Sequence, residues 1–163
     1  MKLVFGADHG GFVLKEQLKV WAQGDGFEVE DMGATSLTPG DDYTPYAIAV
    51  ARKISVVAAT YQQQQVFGVL CCRSGGGVTI AANRFPGARA VDVTDEVSVR
   101  HARNDNAANI IALSGDWLDV EKAKQLLALF CATPFSNAER HVRRLQEIDA
   151  INLTDMSITS INL

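Results

Sequence analysis

Residues 66–84 read VFGVLCCRSGGGVTIAANR. A continuous apolar run closes on two thiols, an arginine, a serine and three glycines follow, and a helix-forming stretch begins at once. A short apolar run bounded by glycine marks a strand buried on both faces, and such strands belong to sheets covered by helices on both sides. Because side chains alternate along a strand, Cys72 is predicted at the glycine turn and Cys71 on the opposite face, in packing.

The same alternation recurs on either side. KLVFGA (2–7) predicts a strand, and GFVLKEQLKVWAQ (11–23) a helix with Phe12, Leu14, Leu18 and Trp21 on or near one face. Asp25-Gly26 marks a turn before FEVEDMG (27–33), a more polar, edge-like strand. SLTPGDDYTPY (36–46) reads as a loop, with a helix beginning at Tyr46 and running through AIAVARKI. TYQQQQ (60–65) reads as a linker. After the central strand and its helix, ARAVDV (88–93) predicts a strand, and Thr94 is placed to cap a helix over DEVSVRHARN. NIIALSG (109–115) is a fifth strand, VEKAKQLLALFC (120–131) a fifth helix, and SNAERHVRRLQEI (136–148) a basic terminal helix. The expected fold is α/β, a Rossmann-like three-layer sandwich with a five-stranded parallel sheet. Residues 1–150 are expected to form one domain, with 151–163 as a tail.

The totals exclude several function classes. Hydrophobic residues make up 47% of the 163 and charged residues 21%, as in a packed core. A net charge of −4 gives no general attraction for nucleic acid or for an acidic membrane surface. The apolar runs fall far short of the ~20 residues that cross a bilayer. MKLVFGADHGG (1–11) is unlike a signal peptide. Three cysteines, two of them adjacent, argue against a disulfide framework and for a reducing compartment, the cytoplasm. His9, His101 and His141 lie far apart and no Cys-x-x-Cys occurs, so no metal site is expected.

Parallel sheets bind ligands beyond the carboxyl ends of their strands. That rule selects Asp8-His9, Cys72 to Gly77, Asp92 to Asp95 and Ser114 to Asp116. Cys72-Arg73-Ser74-Gly75-Gly76-Gly77 precedes a helix, so free backbone N–H groups and the positive end of the helix dipole face whatever enters the turn. The same field is expected to lower the Cys72 pKa. Two buried cysteines before a tight turn would account for the spacing as well. The glycines of GADHGG (6–11) miss the G-x-G-x-x-G register, which disfavours a nucleotide-dependent oxidoreductase. Arg140, His141 and Arg144 fall together on the last helix and could converge on one phosphate or form a solvated basic face. His101 and Asp105, four residues apart, could form an oriented imidazole–carboxylate pair or an idle surface pair.

Several stretches in order resemble the B-type ribose 5-phosphate isomerases and the related galactose 6-phosphate isomerase subunits. They are GADHGGFVLKEQLK (6–19), DDYTPYA (41–47), VLCCRSGGGVTIAANRFPGARA (69–90), the ND and AAN residues before IIALSG, and TPFSNAERHVRRLQEI (133–148). The resemblance implies an aldose–ketose isomerase of a pentose, tetrose or hexose phosphate that works through an enediolate and needs no cofactor or metal. It implies Cys72 as the proton-shuttling base, and Ser74 with the N–H groups of Gly75, Gly76 and Gly77 around the enediolate oxygen. Asp8, His9, Asp42, Tyr43, Arg73, Asn106, Arg140, His141 and Arg144 are implied in substrate binding. It further implies a homodimer or homotetramer with sites between subunits, the C-terminal helix reaching a neighbour.

Two positions depart from the family pattern. Asp105 stands where the family has a ring-opening histidine, one helical turn from His101; either His101 substitutes as a catalytic group or the substrate needs no ring opening. Asp116 stands where the family has a phosphate-binding arginine, and Arg73 replaces a frequent glycine. These changes imply a shifted substrate, or a non-catalytic subunit that binds sugar phosphate beside an active partner.

Overall fold

The computed structural model describes residues 1–57 and 65–151. The linker reading of residues 60–65 falls outside these residues except for Gln65, and all of the tail beyond residue 151 lies outside them. The strands are β1 (Lys2–Ala7), β2 (Glu28–Asp31), β3 (Val66–Cys72), β4 (Ala90–Asp92) and β5 (Ile110–Ser114). They form one sheet in the order β2-β1-β3-β5-β4, with every pairing parallel. The helices are α1 (Phe12–Gly24), α2 (Thr44–Val57), α3 (Gly76–Ala82), α4 (Glu96–Asn104), α5 (Val120–Ala132) and α6 (Glu139–Asp149). The expected three-layer sandwich is present.

Strand β3 lies in the middle because it has apolar residues for both faces. Phe67, Val69 and Cys71 enter the core under α1, α4 and α5, while Leu70 and Cys72 enter the core under α2 and α3. Cys71 and Cys72 therefore point to opposite layers, as the alternation predicts. Strand β2 takes the edge with only half-buried or exposed residues. From β1 the chain turns outward to β2, then crosses back to β3 on the other side. The strand order therefore reverses between β1 and β3, and doubly wound sheets bind ligands beyond the carboxyl ends of the strands at such a switch point.

Several helix starts differ from the sequence reading, α6 beginning at Glu139 rather than Ser136. Helix α2 begins at Thr44 rather than Tyr46, since Pro45 sits in the first turn, where a missing N–H forfeits no intrahelical hydrogen bond. Asp95, not Thr94, caps α4: its carboxylate accepts from Ser98 N at 2.7 Å, and Ser98 Oγ accepts in return from Asp95 N at 3.3 Å.

One buried residue on α1 is charged. Lys15 is fully buried, donating to Asp31 Oδ2 at 2.7 Å and to the Ala34 carbonyl at 2.6 Å. These bonds offset the loss of hydration and fix the turn after β2 against α1.

Candidate active site

At the carboxyl edge of the sheet the backbone comes first. Gly11 packs so tightly on the Cys71–Cys72 peptide that no Cβ fits there. Gly115 N donates to the Cys72 carbonyl at 2.8 Å, and Asp116 N and Ser114 Oγ both donate to the Arg73 carbonyl. The loops after β1 and β5 thus clamp the end of β3 from both sides. Gly75 takes a left-handed φ of +82°, available to glycine at little cost, and turns the chain into α3. A Cβ on Gly77 would come within 2.7 Å of the Tyr43 ring, so the ring closes over the turn.

Cys72 is 7% exposed, and the N–H groups of Gly75, Arg73 and Ser74 face its sulfur. The expectation of a lowered pKa is corrected: burial, and then the negative charge of Asp8, push the Cys72 thiol up, and the three N–H groups only partly offset them. Cys71 is pushed up further by complete burial. Ser74 and Arg73 are exposed at the mouth, and the stem of Arg73 lies across Gly10.

Asp8 is buried and accepts from Gly11 N at 3.2 Å. His9 donates to Asp41 Oδ1 through both its backbone N and Nδ1, each at 2.7 Å, and Tyr46 Oη donates to Asp41 Oδ2 at 3.0 Å. Burial works against the Asp41 carboxylate, but the bonds from His9 and Tyr46 together hold its pKa below the usual range. Asp41 was absent from the sequence reading, which chose Asp42. Asp42 faces solvent. The doublet was the available signal, and the loop backbone decides which member turns inward. Donor atoms of Asp8, His9 and Asp41 lie within 4.8 Å of one another, close enough for a cation to bridge, although His9 Nδ1 is already bonded to Asp41. No spacing in the sequence announces that set.

Asp92, the last residue of β4, falls in a stretch that the sequence places at this edge without giving it a role. Its Oδ1 is buried without a hydrogen-bond partner and presses against Gly75. Burial raises its pKa, opposed only by the Val93 N–H.

The remaining predicted residues gather elsewhere. Helix α4 leaves the carboxyl edge and ends at the amino edge. There His101 Nδ1 donates to Asp105 Oδ2 at 2.8 Å, and Asp105 Oδ1 lies 3.9 Å from His141 Nδ1. The His101 bond, with a second from Asn104, lowers the Asp105 pKa. His141 is buried, with Arg140 Nε donating to its Nε2 at 3.0 Å and its Nδ1 donating to Ser136 Oγ at 2.8 Å. The picture of three free donors is corrected accordingly: both His141 nitrogens are engaged, and the ring holds Arg140 in place. Arg144 is exposed on the same helix, and Asn106 Nδ2 donates to the His101 carbonyl at 3.4 Å. A groove of about 450 Å³ opens here between His101, Asp105, Arg100 and Pro134. Arg103 underpins this edge from the core. It donates to the Phe130, Thr133 and Ala108 carbonyls and lies 4.6 Å from the Phe67 ring, and burial lowers its pKa to about 10.

At about 3.3 Å per residue, the length of β5 alone puts on the order of 15 Å between the two edges. Within one chain the structure brings Cys72, Ser74, Asp8, His9 and Tyr43 together, and His101, Asn106, Arg140, His141 and Arg144 together, but not the two sets. Residues 3–148 match the Ribose/Galactose Isomerase family. The chain belongs to this family. Membership carries the activity expected from the sequence, interconversion of a phosphorylated aldose and ketose. Among similar proteins, ribose-5-phosphate isomerase B of Mycolicibacterium paratuberculosis is 34% identical over 145 residues, covering 89% of this chain and 87% of that protein. The crystal structure of a ribose 5-phosphate isomerase from Thermotoga maritima superposes with a TM-score of 0.83 at 39% identity, covering 92% of this chain and 98% of that one. The Mycoplasma genitalium ribose-5-phosphate isomerase B with bound ribulose-5-phosphate superposes with a TM-score of 0.84 at 28% identity, covering 91% and 93%. Among the described residues, no helix is long and apolar enough to cross a membrane.

Proposed function

We propose that the isomerisation takes place in a site completed by two copies of the chain, with Cys72 of one copy as the carbon base. The observation that carries this is the division of the sugar-phosphate chemistry between opposite edges of one sheet. Cys72, Ser74 and the glycine turn form one half, and Arg140, Arg144 and the His101–Asp105 pair the other. A homodimer or homotetramer that packs the amino edge and α6 of one copy against the carboxyl edge of another unites them.

In this reading Cys72 moves the hydrogen between neighbouring carbons. A raised pKa makes its thiolate scarcer but a stronger base, as abstraction from carbon requires. Ser74 and the N–H groups of Gly75, Gly76 and Gly77 hold the enediolate oxygen; such placed donors are often the largest contribution to catalysis. Asp8, His9 and Tyr43 bind the sugar, with Asp41 fixing His9. Asp42 and Arg73 line the mouth. Arg140, steadied by His141, and Arg144 grip the phosphate, and Asn106 binds beside them. That grip positions the reacting carbons from a distance. The domain of residues 1–150 carries the activity, and its free cysteines support a cytoplasmic location.

The substrate class is a pentose phosphate, supported by the ribulose-5-phosphate bound in the Mycoplasma genitalium relative. The test is an NMR assay of isomerisation across sugar phosphates of four to six carbons. Ribose 5-phosphate is expected to turn over. A pure homo-oligomer that binds sugar phosphates and converts none would instead establish a non-catalytic subunit, the reading that Asp105 and Asp116 would then favour.

A further inference from the structure

Aldose–ketose isomerisation moves two kinds of proton, and Cys72 accounts for one. In the aldose, C2 carries a hydrogen, O2 a proton, and O1 is the carbonyl oxygen. In the ketose, C1 has gained the hydrogen, O1 is a hydroxyl, and O2 is the carbonyl. A base that carries hydrogen from C2 to C1 leaves a proton to be delivered to O1 and another to be removed from O2. A group with a free acid–base atom beside the reacting oxygens is needed.

We propose that His101, oriented by Asp105, moves the oxygen-bound protons in the site of a second copy. This rests on the shared-site reading above. Nδ1 of His101 is committed to Asp105 Oδ2 at 2.8 Å, which leaves Nε2 as the working nitrogen. The His101 side chain is 68% exposed and lines the groove of about 450 Å³, so Nε2 is open to a ligand. Asp105 is itself held: Asn104 Nδ2 donates to its Oδ1 at 2.6 Å, and the buried His141 ring stands 3.9 Å from the same oxygen. Such a backed carboxylate is the usual means of fixing an imidazole's tautomer and direction. His9 at the opposite edge also pairs with a carboxylate, but two surround it: Asp41 Oδ1 at 2.7 Å and Asp8 Oδ2 at 3.9 Å.

The cycle balances with groups present. The Cys72 thiolate removes the hydrogen at C2 to give the enediolate, and the imidazolium then gives its Nε2 proton to O1, forming the enediol. The now neutral Nε2 takes the proton from O2. The C2–O2 carbonyl forms, and the electrons of the C1–C2 double bond take the proton from the Cys72 thiol to C1. Thiolate and imidazolium are both restored. Asp105 is a positioning residue in this scheme and exchanges no proton with substrate.

The experiment follows conversion and solvent-hydrogen exchange together, by NMR in D2O, with ribose 5-phosphate or the panel sugar that turns over best. With His101→Gln, conversion is expected to fall by about 10²–10³-fold, within the range for losing a general acid–base group. Cys72 still abstracts and returns the carbon-bound hydrogen, so the ratio of exchange in recovered aldose to conversion should rise at least about tenfold. Asp105→Asn should lower kcat by about tenfold with KM little changed, and Asp105→Glu should recover part of the loss. Wild-type conversion by His101→Gln would overturn the proposal. So would equal losses of exchange and conversion, the mark of a merely structural residue, or the appearance of the split in His9→Gln instead. A wild-type protein inert toward the whole panel would remove the isomerase reading, and this proposal with it.

Discussion

The carboxyl and amino edges of the sheet hold comparable numbers of candidate site residues but are built on different principles. At the carboxyl edge the parts are backbone and short side chains, locked by contacts of the main chain: Gly11 on the Cys71–Cys72 peptide, Gly115 on the Cys72 carbonyl, and Gly75 against the Asp92 carboxylate. At the amino edge they are long side chains on helix surfaces, ordered by one another: His101 on Asp105, Arg140 on His141, His141 on Ser136. The first kind of site tolerates almost no change of shape and suits stabilisation of a developing charge. The second kind can alter its chemistry one side chain at a time.

The largest effect should come from the rigid edge. Cys72→Ser is expected to lower turnover by at least about 10³-fold, whereas Cys71→Ser, in the opposite layer, should stay within a few-fold. Steady-state kinetics of the two variants decide it, and the reverse order would remove Cys72 as the base. Next is a direct trial of the division between edges. Cys72→Ser and His101→Gln, each nearly inactive, should regain about a quarter of wild-type activity when unfolded and refolded together in equal amounts. Half the dimers formed are mixed, and each mixed dimer has one intact site of two. No recovery in such a mixture would place both edges in service of separate sites.

Smaller effects sharpen the contrast. Arg140→Ala or Arg144→Ala should raise KM by about tenfold, or ~1.4 kcal/mol, with a lesser change in kcat and a dependence on ionic strength. Asp8→Asn removes a charge that raises the Cys72 pKa. With the thiolate as the proposed base, activity should climb with pH through that pKa. The climb should move to lower pH in the variant, and alkylation of Cys72 in a Cys71→Ser, Cys131→Ser background reads the same shift. The smallest change expected is at Asp92, whose buried unpaired oxygen costs stability when ionised. Its folded pKa is raised, so stability is lost as pH rises from the ordinary carboxylate value through the folded one. Asp92→Asn should therefore gain about 1 kcal/mol at neutral pH and nothing near pH 3, as measured by urea unfolding.

How legible each edge was in the sequence follows from the same difference. The five strands, the central place of 66–72, the opposite facing of the two cysteines and the polar edge strand 28–31 all follow from local pattern, because burial on two faces or one leaves a period in the chain. The carboxyl edge was legible for a related reason: glycines and chemically unusual residues fell directly after strands. Errors arose where local signals competed. Thr94 and Asp95 can both cap a helix, and only the capping box with Ser98 selects Asp95. Asp41 is a residue passed over beside Asp42, not a replacement for it: His9, 32 residues away, and Tyr46 bond to it. The Cys72 pKa was misjudged because the favourable N–H groups are local in sequence. The burial and the Asp8 charge that outweigh them come from distant residues.

The sequence by itself determined the layered α/β fold, the thiol at the end of a buried strand and the glycine turn beside it, since each depends on residues within one or two turns of chain. Only the tertiary structure decided that Arg140 leans on a buried histidine, that Asp92 is left with an orphaned oxygen, and that the two halves of the chemistry stand at opposite ends of the strands. Those outcomes depend on distances across the sheet and on the solvent that packing excludes, and neither is written in the spacing of residues along a chain.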